Sequence, residues 1–149
     1  MGSETSKAIV GRFDAILNNR DLDQLDELCG PDMVNHALAP GRPAGLAGTR
    51  QWLETDGRNF QSFTWKELFV IAEDDLVVQF GVRGHDWPGG RFRGFDVPAG
   101  HCERGTAFMY RVAEGRIVER WAVNDLLAML LQLGAISAPS NDLQRRVSS

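Results

Sequence analysis

The sequence predicts an α+β fold: helices first, then a curved antiparallel sheet enclosing one pocket, then a closing helix. In the first third of the chain apolar residues recur with helical spacing, and from Phe63 onward they alternate with the period of a strand. A third observation is that the strands are largely apolar on both faces. One face can pack on the helices while the other lines a space that excludes water. In 149 residues that space is better read as a pocket than as a second core layer.

The first helix carries Ile9, Val10, Phe13, Ile16 and Leu17 as one stripe, with Lys7, Arg12 and Asp14 elsewhere. A shorter second helix begins at Asp21, where Gln24 has capping-box spacing, buries Leu22, Leu25 and Leu28, and stops at Gly30-Pro31. Met33–His36 is a short extended piece. Residues 37–48 are too rich in Gly and Pro for regular structure until Leu46, from which a third helix runs to about Asn59. Phe63, Trp65, Glu67, Phe69 and Ile71 form one face of the first long strand. Asp74-Asp75 turns the chain into a strand with Leu76, Val78, Phe80 and Val82 on one face and Val77, Gln79, Arg83 and His85 on the other. Residues 86–100 read as irregular. Strands follow at about Gly105–Ala113 and Arg116–Asn124, joined by Glu114-Gly115. A last helix spans Leu126–Leu133, with Gly134 as its C-cap. One domain, 1–149, is expected, with its core at about 7–136 and a loose polar tail at 137–149.

Sixteen Lys and Arg stand against 20 Asp and Glu, a net charge of −4, with no long run of either sign. That argues against nucleic acid, which needs clustered cations to neutralise phosphate. No stretch approaches the ~20 apolar residues that span a bilayer, so no membrane partner is expected. The N-terminus has no charged-then-apolar signal pattern, which points to a cytoplasmic protein. Cys29 and Cys102 lack CxxC spacing and read as small apolar residues. His36, His85 and His101 lie far apart without ligand spacing, so no metal site is expected, and with no Gly-rich phosphate loop in the chain no organic cofactor is expected either.

The last strand says most about chemistry. Alternation puts Ile117, Glu119, Trp121, Val123 and Asp125 on one face, and Arg116, Val118, Arg120, Ala122 and Asn124 on the other. A carboxylate at the end of an apolar face has its pKa raised by burial and becomes a competent base near neutral pH. Asp125 also stands just before Leu126-Leu127, at the N-cap position of the final helix. Spacing alone leaves both roles open, and they are compatible. His36, which follows Asn35, and His85 read either as donors to a substrate carbonyl or, as is commoner for a lone histidine at a strand end, as plain surface or half-buried residues. Tyr110 and Arg111 lie on opposite faces of their strand, so only one can enter a given cavity. Trp52, Trp65, Trp87 and Trp121 are core candidates, Trp87 also a lid over a flat ligand. No Ser-His-Asp or Cys-His set can be assembled, which leaves acid–base chemistry by a carboxylate.

Val34-Asn35-His36, then Gly45-Leu46-Ala47-Gly48 before a helix, resembles the early part of SnoaL-like polyketide cyclases. Arg83-Gly84-His85 with Gly90, Phe92, Gly94 and Pro98-Ala99-Gly100 is similar to their middle stretch. Residues 108–121, Asp125 and Gln132-Leu133-Gly134 resemble the end. The resemblance covers about residues 7–136. It implies a cone like nuclear transport factor 2 and ketosteroid isomerase, a curved antiparallel sheet closed by helices. It also implies aldol closure of the last ring of an aromatic polyketide, as in antibiotic biosynthesis, without cofactor and with Asp125 as general acid and base. Asn35, His36 and His85 would polarise carbonyls or hold an enolate. Trp121, Trp87, Tyr110, Phe13, Trp52 and Arg111 would bind the substrate, a hydrophobic polycyclic small molecule. Ala99, His101 and Arg111 depart from residues common in the family at or near those positions. Members of the family also hydroxylate or isomerise, so a cofactor-free hydroxylase or isomerase of a polycyclic ketone stands as an alternative, as does a non-catalytic binding protein. A homodimer or homotetramer is expected, since such folds often pair through the outer sheet face.

Overall fold

The computed structural model describes residues 2–55 and 61–138. Helix α1 (Ser3–Asn19) leads through a 3₁₀ turn (Leu22–Gln24) into the one-turn helix α2 (Leu25–Leu28), strand β1 (Cys29–Asn35) and helix α3 (Leu46–Thr55). Strands β2 (Gln61–Glu73), β3 (Leu76–Trp87), β4 (Gly90–Phe92), β5 (Phe95–Val97), β6 (Gly100–Ala113) and β7 (Arg116–Asn124) follow, and helix α4 (Leu126–Gln132) closes the order. The expected α+β layout holds, with the main sheet packed on the N-terminal helices. No described helix is long and apolar enough to cross a membrane.

The sheet runs β1-β7-β6-β3-β2. It is not wholly antiparallel: β1 pairs in parallel with β7. The stretch read as irregular is largely strand. Strand β3 extends to Trp87, β6 starts at Gly100, and β4 and β5 form a hairpin between them. The Gly residues there serve turns rather than a loop, since Arg93 and Gly94 have φ of 52° and 88°, the left-handed pair that a two-residue hairpin needs. Asp21 and Gln24 bond each other's side chains and cap no backbone donor. The expected end of the third helix, and most of the expected tail, lie outside the described residues.

Two bulges decide which side chains face the helices. In the β6–β7 ladder Val112 pairs with Ile117, but Arg111 pairs with Glu119 and Tyr110 with Arg120, leaving Val118 as an extra residue. One extra residue flips every side chain beyond it. Ile117 is therefore buried inward and Arg120 is inward as well, while Glu119, Trp121 and Val123 turn outward. The single apolar face expected for Ile117 through Asp125 does not exist. Leu68 does the same in β2, where Glu67 pairs with Gly81 and Phe69 with Phe80. Trp65 and Glu67 face inward with Val70 and Ala72, and Phe69 and Ile71 face out, both exposed.

The core lies between α1, α2 and the inner sheet face. Phe13, Leu25, Val77, Tyr110 and Ile117 have no exposed surface. Phe13 meets Tyr110 edge to face at 5.7 Å, and Ser6 Oγ donates to Asp74 O at 3.0 Å, pinning α1 to the β2–β3 turn. A smaller core holds α4 on the sheet through Met129, Leu130 and Leu133 against Trp87, Val97 and Cys102. Gln132 reinforces it, accepting from Glu103 N at 2.9 Å and donating to Glu103 O at 2.7 Å. Its amide thus completes the ladder for one residue of β6. Gly81 has no Cβ for a steric reason, since one would meet Lys66 O at 2.3 Å and the Trp65 ring at 2.9 Å.

Phe13 is the aromatic on which α1 and the sheet both depend. Phe13→Ala should lower unfolding free energy in urea by about 3–5 kcal/mol, the usual cost of emptying a buried Phe site. A loss below about 1 kcal/mol would mean that the site collapses and α1 is not anchored there.

Candidate functional site

A cavity of about 520 Å³ opens between α1, α3 and the inner faces of β2, β3, β6 and β7. Its walls are aromatic, with Trp52, Phe63, Trp65, Phe108 and Tyr110. Its charged groups are Asp14, Arg20, Arg83 and Arg120. Local structure explains their delivery. Asp14 follows Val10 by four residues and precedes Leu17 by three, so it flanks the buried stripe of α1. Tyr110 and Arg120 are ladder partners, as are Arg83 and Trp65.

At one side of the cavity Gln79, itself buried, presents its amide to two carboxylates. Its Nε2 donates to Asp14 Oδ2 at 2.5 Å and to Glu67 Oε1 at 3.2 Å. Burial raises the Asp14 pKa above the ordinary carboxylate range, the Gln79 hydrogen bond lowers it, and the nearby Glu67 charge raises it again. The result is a carboxylate of more than usual basicity, held by a donor that cannot titrate.

Across from it sits Arg120, 3% exposed. The rings of Phe13, Trp52, Phe108 and Tyr110 surround its guanidinium, with centroids 4.9–5.6 Å from Cζ. Its Nε donates to Tyr110 Oη at 3.4 Å. Arg83 lies beside this group, and its pKa is pushed down to about 9, first by burial and then by the charges of Arg104 and Arg120.

The residues nominated from sequence divide sharply. Tyr110 and Trp52 line the cavity, and Phe13 backs it through Arg120. Asp125 is exposed, lies outside the lining, and caps α4 by accepting from Ala128 N at 3.0 Å. Asn35 is buried but occupied. It donates to Thr49 Oγ1 at 3.0 Å and accepts from Ala37 N at 3.1 Å, fastening β1 to α3 and the following loop. His36 is exposed on the outer side, stacked on Trp121 and bound to Glu119 Oε2 at 2.7 Å. Trp121 therefore does not reach the cavity. Neither does Arg111, which pairs with Asp75 and Glu119 on the outer face. Trp87 is no lid, because it is buried under α4 with its indole N–H on Val97 O at 3.1 Å. His85 is fully buried beside Cys102, with Nε2 at 3.4 Å from Sγ. Burial and the charges of Arg104 and Arg83 push its pKa down to about 4, so it is neutral at neutral pH. Among the described residues no cluster of His, Cys, Asp and Glu is arranged to hold a metal ion.

Sequence reasoning missed Asp14, Arg120, Arg83, Trp65 and Phe108 as cavity residues. For Asp14 a signal existed, namely an acidic side chain at the edge of an apolar helical stripe. For Arg120 there was none, because the bulge that turns it inward has no mark in the alternation.

Comparison with known proteins bears on this geometry. A model of the SnoaL-like polyketide cyclase family matches residues 7–133. Among curated proteins no sequence matches the chain. IdmH of Streptomyces antibioticus, described as a candidate polyketide cyclase, is 27% identical over 87% of this chain and 98% of its own, with a TM-score of 0.70. A SnoaL-like polyketide cyclase of Agrobacterium tumefaciens is 19% identical over 90% of this chain and all of its own, with a TM-score of 0.74. AclR of Streptomyces galilaeus, described as a candidate hydroxylase, is 19% identical over 99% of this chain and 92% of its own, with a TM-score of 0.75. The last two speak for the fold alone. With a family match that spans most of its length and neighbours that share its architecture, the chain belongs to the SnoaL-like polyketide cyclase family.

Proposed function

We propose that the protein is a cofactor-independent acid–base enzyme that closes a ring of a flat, aromatic polyketide by intramolecular aldol addition in the α1–sheet cavity. One observation carries this reading: a carboxylate of raised pKa, Asp14, shares an aromatic-walled cavity with a buried guanidinium, Arg120. Family membership supports the broader class, whose members are generally catalytic.

In this mechanism Asp14 removes a proton from a carbon flanked by carbonyls. Arg120, steadied by Tyr110, stabilises the resulting enolate oxygen. The enolate carbon attacks a second carbonyl of the same molecule, and Asp14 returns the proton to the new alkoxide, so no atom is gained or lost. A positioned base supplies ~10²–10⁴-fold in rate. Orientation of the reacting carbons against Trp52 and Phe108, and charge stabilisation by Arg120, supply the remainder.

The resemblance at Trp121, Asp125 and Gln132-Leu133-Gly134 supports a second assignment, with Asp125 as the base. The two are separable because Asn caps a helix about as well as Asp. An uncyclised anthraquinone with a β-keto side chain, followed by absorbance and mass, is the assay. Asp14→Asn should lower kcat by ~10²–10⁴-fold, with Asp125→Asn within a few-fold of wild type. The reverse pattern would transfer the role of base to Asp125. A product heavier by one oxygen would indicate a hydroxylase, and binding without product would indicate a sequestering protein.

The pH profile gives an independent check. The base works ionised, so kcat/KM should fall as pH drops through the Asp14 pKa, which burial raises above the usual carboxylate range. An acid limb at or below the unperturbed carboxylate pKa would exclude Asp14.

We also propose that the protein assembles as a homodimer or homotetramer through its outer sheet face, where Phe69, Ile71 and Val123 are exposed. Light scattering on Val123→Glu should show a smaller species than wild type, whereas a monomeric wild type would end this proposal.

A further inference from the structure

We propose that the cavity selects an anion: a flat aromatic ketone bearing a free carboxylate, which docks on Arg120 with Arg83 beside it. The inference rests on the cavity described above as the substrate site and adds the charge of the substrate.

The argument starts from the cost of burying charge. A guanidinium removed from water without a counter-ion is strongly disfavoured. Arg120 is 3% exposed, and among the described residues its only hydrogen bond is the one to Tyr110 Oη, with no ion pair to any carboxylate. The four surrounding rings offset part of that loss through cation–π contacts. They also hold the guanidinium in one place at the cavity wall.

The neighbours deepen the imbalance. Arg104, opposite Arg83 in the β3–β6 ladder, is 4% exposed, and among the described residues its one acceptor is the thioether of Met129, at 3.4 Å. The charges of Arg104 and Arg120 both act to deprotonate Arg83. Among the described lining residues the carboxylate is Asp14, which is engaged by Gln79 and makes no ion pair with Arg120. The cavity is thus aromatic in its walls and holds a buried cation, Arg120, that has no carboxylate partner among the described residues.

An anion with a flat body complements both properties. The guanidinium fork matches a carboxylate in two parallel hydrogen bonds, which a neutral ester or amide does not reproduce. Aromatic walls accept the ring system.

The test compares anthraquinone-2-carboxylate with anthraquinone-2-carboxamide by calorimetry. The proteins are wild type, Arg83→Gln, Arg120→Gln and Arg120→Lys, each checked for folding by its thermal melt. Wild type should bind the acid at least about tenfold tighter than the amide, and Arg83→Gln should narrow that ratio to about threefold or less. Arg83 is half-buried, so its variant keeps the test valid if Arg120→Gln does not fold. Arg120→Lys, which keeps the charge but loses the fork, should retain a reduced preference. Equal binding of acid and amide to wild type overturns the inference while leaving the acid–base reading intact. A preference unchanged in every variant also overturns it, since the arginines would not be its source. Failure of both compounds to bind overturns it together with the assignment of the cavity.

Discussion

A single extra residue, Val118, governs the interior of this protein. By shifting the β6–β7 ladder it turns Arg120 towards the helices and Trp121 away from them. The place of the buried guanidinium follows from that rotation. The guanidinium needs rings around it, and Phe13, Trp52, Phe108 and Tyr110 arrive from α1, α3 and β6 to supply them. Beside the apolar core, the packing of α1 and α3 on the sheet thus also encloses a cation.

Polar groups in such an interior are tolerable only when each is engaged. Two kinds of engagement occur here. Asn35, Thr49 and Gln132 spend their hydrogen bonds inside the fold, tying β1 to α3 and α4 to β6. Asp14, Gln79 and Arg120 instead gather at the cavity, where the Gln79 Nε2 group meets two carboxylates. That division separates scaffold from chemistry more cleanly than residue type does. A conspicuous histidine such as His36 belongs to the outer surface with Glu119, while an unremarkable aspartate of α1 lines the cavity.

Much of the architecture was legible in the chain. The stripe of α1, the turns at Asp74-Asp75 and Glu114-Gly115, and both ends of β7 emerge from period and turn chemistry alone. The motifs shared with the cyclase family supplied the sheet-and-helix cone. What could not be read was register. Alternation assumes an unbroken ladder, and Val118 and Leu68 break it without any compositional signature, since both are ordinary strand residues. The β4–β5 hairpin was hidden for the opposite reason: its glycines signal a turn and a loop equally well. Asp125 shows how one position can satisfy a motif and a cap together, with the cap alone visible in its hydrogen bonding.

The parallel pairing of β1 with β7 carries a consequence for how the chain acquires its shape. Among the described residues the first strand has its one sheet neighbour in the last, so its edge stays bare until every intervening strand exists. The ladders of β2, β3, β6 and β7 join sequence neighbours and can zip early, whereas β1, with the helices before it, must wait for a distant contact whose loop-closure entropy is large. The cavity, walled by α1 and α3 on one side and the sheet on the other, likewise depends on contacts between distant parts of the chain. A partly unfolded chain that lacks those contacts would hold the meander and no cavity.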